Sequence, residues 1–455
     1  TDDQDGSSPI AVTGVSLDPV TLVLGIGDTA QLTAAVEPAD ADDPSVGWSS
    51  SDTAVASVDS DGLVTAVDIG NATITANTTD GGYTAQCGVT VKSWSETVTG
   101  SVTEPLSSIT YTDQEADLSF ALMACPGGTF PRGLDNLDSG TVDPLWVGRA
   151  ETTYALVAHV FQWAYDNGKF SSDINDPNGL DETVAKHGGQ QLIALNLDNQ
   201  RNSRVSYDGS GTFSVDSGYE DHAVHLVSWY GAVMFANWLT EMRDGHTDNL
   251  VYTGIDPDWD HDETVEHRER SGYRLPTSEE WEYAARYLGT TAPSTGENLD
   301  SDRLAGDDDP DWTDGYYWTP GNYLSGATTY HDDVTGGNPP AGKLANDEVA
   351  VYSDYWIDID PPIGEADDVA EKTNAPSEPE AVAGLRANEL GLYDMSGNVK
   401  EWTMTRSAGF GGSRLTRGGK YTQNTFFLMV GNGESERPDT TSTVGTGLRL
   451  VRTAD

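Results

Sequence analysis

The chain is 455 residues long, a length that favours two or three domains over one. Acidic side chains outnumber basic ones 74 to 24, for a formal net charge of −50. Such a surface repels nucleic acid and anionic membranes and excludes both as partners.

Lysine is scarce, with seven residues against seventeen arginines. Abundant carboxylates with little lysine suit a high-salt setting, where their mutual repulsion is screened; an ordinary acidic secreted protein is the alternative. No window is long and apolar enough to span a bilayer, so membrane insertion is not expected. Residues 1–9, opening on Thr1-Asp-Asp-Gln-Asp, read as a disordered, processed or trimmed start. Cys87 and Cys125 are the only cysteines. Placed in different domains, they exclude a disulfide framework and a Cys-based zinc site, and each reads as a small buried apolar residue.

Residues 10–93 have the texture of an all-β sandwich. Short runs such as Leu22-Val-Leu24, Ala30-Gln-Leu-Thr-Ala-Ala-Val36 and Ala72-Thr-Ile-Thr-Ala76 are separated by Gly-Asp, Asp-Gly and Pro-Ala turns. The phrases Trp48-Ser-Ser-Ser-Asp52, Val55-Ala-Ser-Val58 and Gly62-Leu-Val-Thr-Ala66 resemble the bacterial Ig-like group 2 family, which implies a spacer or adhesion module. A polar connector over 92–104 follows.

From residue 94 to 455 the composition changes to Trp- and Tyr-rich α+β. Residues 145–153 read as a strand. Helices are expected over 153–165, with Leu156, Val160, Phe161 and Ala164 on one face, and over 228–242, with Val233, Phe235, Ala236 and Leu239 buried. A third is expected over 278–286, entered through Pro276-Thr277 with acids in its first turn. Residues 288–386 are loop-like. Their acidic run from Asp307 to Asp314 lacks EF-hand spacing and reads as a solvated turn.

The stretch Asn388-Glu-Leu-Gly-Leu-Tyr-Asp-Met-Ser-Gly-Asn-Val-Lys-Glu-Trp402 organises the C-terminal half. Gly397-Asn398 favours a backbone reversal that turns Asp394 and Glu401 towards a common point. Clustered hard oxygens there suit Ca²⁺; a tight hairpin with solvated carboxylates is the alternative. Trp229, Trp238, Trp281 and Trp402 are expected as core aromatics, with Arg274 and Glu282 as buried ion partners.

This stretch resembles the core motif of the formylglycine-generating-enzyme-like (sulfatase-modifying factor) family. Pro126-Gly-Gly-Thr-Phe130, Val227-Ser-Trp-Tyr-Gly-Ala-Val-Met-Phe-Ala-Asn-Trp-Leu239, Tyr273-Arg-Leu-Pro-Thr-Ser-Glu-Glu-Trp-Glu-Tyr-Ala-Ala-Arg286, and Arg417-Gly-Gly with Gly447-Leu-Arg-Leu450 follow in family order. The resemblance implies a variant C-type lectin fold preceded by the Ig-like sandwich. It also implies one structural Ca²⁺ bound by the side chains of Asp394 and Glu401 and the carbonyls of Gly397 and Val399. Oxidases of the family carry a cysteine pair after Arg-Gly-Gly, and none is present here, so no catalytic residue is expected. The sulfoxide-synthase alternative lacks its histidines: His261 and His267 have no third partner.

The region 420–447 also resembles the variable proteins of diversity-generating retroelements, a branch that implies a binding surface. Alternation places Leu428 and Val430 inside. Tyr421, Thr422, Asn424, Phe426, Phe427, Met429, Asn432 and Ser435 then face solvent, with Tyr421, Thr422, Asn424, Phe426, Phe427 and Asn432 as the ligand-binding set. The expected function is non-enzymatic recognition of a cell-surface or other macromolecular ligand by a virion fibre, receptor-binding protein or adhesin. It would act outside the cell, on a cell surface or on a virion, in a saline setting. An oxidase and a purely structural decoration protein are the alternatives, and homo-oligomerisation is left open.

Overall fold

The structure, a computed structural model, describes residues 9–113, 116–134, 138–170, 184–187, 190–195, 203–255, 264–289, 318–319, 324–325, 349–352, 376–408, 412–423, 425–438 and 444–454. The acidic run at Asp307 to Asp314, His261 and Asn424 lie outside the described residues. The chain divides into two compact units, residues 1–97 with 110–119 and residues 98–109 with 120–455.

In the first unit, strands Thr21–Gly25, Thr84–Lys92, Gly70–Thr78 and Val46–Ser50 lie in that order in one sheet. Thr29–Gln31, Leu63–Ala66 and Ala56–Val58 form a second, and Gly14–Asp18 pairs with Thr33–Glu37. The expected run 30–36 is interrupted at Leu32, which is buried and gives its N–H to the Gly62 carbonyl at 3.0 Å. Alternate residues of the two longest strands, among them Ala72, Ile74, Cys87, Val89 and Val91, fill the core.

The stretch expected as a polar connector contains a strand, Trp94–Thr99. Its Ser-Glu-Thr-Val-Thr run has the β-branched content of an edge strand, and Trp94 is buried. It begins a six-stranded sheet that continues through Ser108–Asp113, Leu118–Cys125, Leu145–Gly148, Val451–Thr453 and Tyr273–Arg274.

The second unit carries three main helices. α1 (Tyr154–Asp166) is capped by Thr153, whose hydroxyl accepts from Leu156 N. α2 (Trp229–Asp244) is capped by Ser228 and ends on Gly245 in the left-handed region. α3 (Ser278–Arg286) opens with a reciprocal capping box between Thr277 and Glu280. Its Trp281, Tyr283, Ala284 and Ala285 join Phe130, Leu145, Val147, Leu390, Met395, Val430 and Val451 in one core. A four-stranded sheet, ordered Glu434–Glu436, Arg414–Arg417, Lys400–Arg406 and Thr446–Gly447, frames the C-terminal region.

The four indoles expected in the core are buried there, and three of them are tied to the backbone or to a carboxylate, whereas Trp238 packs against Phe161 and Phe170. Trp229 Nε1 donates to the Thr403 carbonyl at 3.1 Å and Trp402 Nε1 to that of Val227 at 2.8 Å. Arg274 and Glu282 are buried ion partners of other groups: Arg274 holds Glu280 at 2.7 and 2.8 Å, and Glu282 meets Arg286 at 2.9 Å and Arg417 at 2.8 Å.

Candidate functional site

The 388–402 stretch folds as a compact turn. Asp394, Gly397 and Asn398 take φ of 55°, 88° and 54°, the left-handed values the reversal requires. At Gly397 no side chain fits, because a Cβ would stand 2.3 Å from the Val351 carbonyl oxygen. Asn388 locks the turn by accepting from Leu390 N and Leu392 N at 3.0 and 3.1 Å while donating to the Ala284 carbonyl at 2.9 Å.

Glu401 and Asp394 converge as expected, but the point they share is the Arg449 guanidinium. The Glu401 oxygens accept from Arg449 Nε at 3.0 Å, Arg449 Nη2 at 2.7 Å and Trp281 Nε1 at 2.7 Å, all fully buried. Arg449 completes its fork on the carbonyls of Gly148 and Tyr393, each at 2.8 Å. A carboxylate satisfied by a guanidinium and an indole does not fit the role of a Ca²⁺ ligand. Val399 turns its N–H to Glu151 Oε1 at 2.9 Å, and Asn398 Nδ2 donates to Glu151 Oε2 at 2.6 Å. Asp394 accepts from Ala383 N at 2.7 Å. Among the described residues no group of three or more His, Cys, Asp or Glu side chains is placed to hold a metal ion. Arg449 therefore supplies the cationic centre of this turn, and Glu151 is a member of it that sequence reasoning missed.

Burial pushes the Glu151 carboxyl well above the usual range, and the charges of Asp394 and Glu401 add to the effect against Arg449. Burial raises Asp394 as well, opposed by the Ala383 N–H and Arg449.

The Arg-Gly-Gly element projects the C-terminal face. Arg417 Nη2 holds Glu282, its Nε holds Ser278 Oγ at 2.8 Å, and its Nη1 reaches the carbonyls of Val430 at 3.3 Å and Asn432 at 2.8 Å. Gly419, at φ 69°, leaves no room for a Cβ, which would meet the Phe427 carbonyl oxygen at 2.8 Å. The chain then forms a helical turn, Thr425–Leu428, where a strand was expected. Helical spacing replaces alternation and changes which side chains emerge.

Phe426 is 48% exposed and Thr422 is exposed. Leu428 and Val430 are fully buried. Tyr421 is buried, contrary to expectation, and burial with the nearby Glu378 charge raises its phenol to about 12. Met429 is also buried. Phe427 packs half-buried against the cluster of Leu324, Val349, Ala350, Tyr352 and Leu428, with its ring 5.4 Å from that of Phe426 in an edge-to-face pair. Asn432 is half-buried and turned to the chain itself: its Nδ2 donates to the Phe426 carbonyl at 3.0 Å. Ser396 Oγ donates to the Leu428 carbonyl at 2.9 Å. Phe426 thus stands on a turn fixed at several backbone positions. In the neighbouring sheet Lys400 is buried against Glu434 at 3.1 Å and against Glu436, and Gln423 Nε2 donates to Glu434 at 3.0 and 3.1 Å.

Both thiols are buried, each in the core of its own unit. Cys125 is fully buried and its thiol is pushed far up by burial, opposed by the Gly127 N–H; burial raises Cys87 too. Burial disfavours the thiolate at both.

A small helical and sheet scaffold closed by its own C-terminal strand, with an arginine–carboxylate hub at the turn, defines a variant C-type lectin domain that follows an Ig-like sandwich in the chain. The chain belongs to the sulfatase-modifying factor enzyme 1-like domain family, which matches residues 89–454, and residues 11–91 match the bacterial Ig-like domain (group 2). It is 28% identical over 190 residues to the protein called chaperone protein LppX of Paenibacillus barcinonensis, covering 40% of this chain and 51% of that one. It is 41% identical over 83 residues to an Ig-like virion protein of Serratia phage KSP90, covering 18% of this chain and 32% of that one. The chain spans about half or less of the length of the curated relatives it matches, from 8% to 51%. Among solved structures, Treponema denticola variable protein 1 superposes with a TM-score of 0.43 at 18% identity, covering 76% of this chain and 99% of that one. No described helix is long and apolar enough to cross a membrane.

Proposed function

We propose that this chain is a non-enzymatic recognition protein of a virion or cell surface, in which the Ig-like unit serves as a spacer and the C-terminal face takes a macromolecular ligand. The observation that carries this reading is Phe426: a large aromatic side chain, 48% exposed, on a turn whose carbonyls are held by Asn432 and Ser396. A rigid exposed aromatic has little entropy to lose on binding and is the usual kind of interface anchor. Thr422 is an exposed polar residue of the same segment, and the half-buried Phe427 ring packs edge-to-face against Phe426. The burial of both thiols supports a reading without thiolate oxidation chemistry. The match to an Ig-like virion protein favours display on a virion or cell surface.

The test pairs binding to immobilised cell-envelope preparations with thermal unfolding. Phe426→Ala is expected to weaken binding by ~1–3 kcal/mol with an unchanged melting temperature. Leu428→Ala, in the core, is expected to lose ~2–5 kcal/mol of stability instead. Full binding by Phe426→Ala would exclude this face.

A further inference from the structure

Beside Phe426 the chain carries the dipeptide Asn432-Gly433, and its geometry differs from that of Asn167-Gly168 at the end of α1. Gly433 N–H donates to Oδ1 of its own neighbour, Asn432, at 2.9 Å, which sets the glycine nitrogen beside Cγ of that carboxamide. The other end of the carboxamide is the Nδ2 that holds the Phe426 carbonyl at 3.0 Å. Arg417 fixes the Asn432 carbonyl at 2.8 Å, and Gly433 is exposed to water. At Asn167-Gly168 the glycine N–H is drawn to the Tyr165 carbonyl at 3.0 Å, and Asn167 Nδ2 donates to the Trp163 carbonyl at 2.8 Å. There the nucleophile is held away from the side chain it would attack.

We propose that Asn432-Gly433 is a self-modification site, whose deamidation releases the turn that presents Phe426. Gly433 N attacks Asn432 Cγ, forming a C–N bond and a succinimide ring. The Gly433 N–H proton passes to solvent base, the Cγ–Nδ2 bond breaks, and Nδ2 takes a proton from water and departs as ammonia. Water then opens the ring at either carbonyl, leaving aspartate or isoaspartate. No electron is transferred, and water is the only co-reactant. The product has no N–H to offer the Phe426 carbonyl; a carboxylate oxygen faces that carbonyl instead, so a hydrogen bond is exchanged for a repulsion. The site therefore acts as an irreversible timer on the face. The consequence for binding rests on the recognition role proposed above, whereas the modification itself does not.

The test is peptide mapping by mass spectrometry of the full chain aged in mildly alkaline, saline buffer. Aspartate and isoaspartate are expected to accumulate at 432 severalfold faster than at 167. Gly433→Ala is expected to slow the reaction at 432 severalfold, because the added methyl shields the nitrogen. That variant should fold normally, since its Cβ would meet nothing closer than Arg417 Nε at 3.4 Å. Asn432→Asp is expected to lose hydrogen-exchange protection over 426–428 and to bind the cell-envelope preparations severalfold more weakly. Equal rates at 432 and 167, or no effect of Gly433→Ala, would overturn the site. Full protection in Asn432→Asp would overturn its coupling to the turn. If the unaged parent binds nothing while 432 still deamidates ahead of 167, the recognition reading fails and this one stands. If the parent binds but 432 stays intact on ageing, the reverse holds.

Discussion

Arg449 directs its guanidinium to Glu401, Gly148 and Tyr393, and so ties together segments far apart in sequence. Removing one partner of a fully buried pair strands the other charge, and Glu401→Gln is expected to cost ~3–5 kcal/mol in denaturant unfolding. The neighbouring acids have the opposite character. Glu151 and Asp394 carry native pKa values raised by burial, so the native state holds their protons more tightly than the unfolded chain. Stability from this pair is greatest below the ordinary carboxyl range and is lost as pH rises through the raised native values. Each pH unit in that window is worth ~1.4 kcal/mol per group. Asp394→Asn keeps an oxygen for the Ala383 N–H and suits the positive φ, so it should raise the melting temperature at neutral pH and flatten its decline from acid to neutral. An unchanged slope, measured in molar salt, would contradict this account of Asp394.

At the level of elements, the three helices are legible because each announces its own ends. Thr153, Ser228 and Thr277 cap them, and Thr277 with Glu280 closes a full capping box. Thr277→Ala is expected to cost ~0.5–2 kcal/mol, read as a lowered denaturant midpoint with an unchanged slope. The Gly397-Asn398 reversal was legible for the same local reason. The C-terminal face was legible only in part. Alternation placed Leu428 and Val430 inside, but it assumed a strand, whereas Arg417, Gly419 and Ser396 impose a helical turn through tertiary contacts. That turn leaves Phe426 outside and redirects Asn432 to its carbonyl, while Tyr421, ahead of it, is buried with its N–H on the Asn398 carbonyl, and Met429, just after it, is buried as well. Glu151 carried no local signal, because its partners Asn398 and Val399 lie 247 and 248 residues away.

For the whole molecule, a formal charge of −50 sets the response to salt. Self-repulsion falls as the Debye length contracts from ~10 Å at 0.1 M to ~3 Å at 1 M, so the melting temperature should rise with sodium chloride over that range. A fall would remove the argument for a saline setting. The two sealed cysteines give a way to follow each unit by itself. Cys87 belongs to the core of the Ig-like unit and Cys125 to that of the lectin-type unit. Both thiols are sealed from solvent until their cores open, so an alkylating reagent in graded denaturant is expected to report the opening of each core. The alkylation rates, resolved by which cysteine carries the adduct, would give the opening free energy of the Ig-like unit and of the lectin-type unit separately, in one native chain and without an added probe.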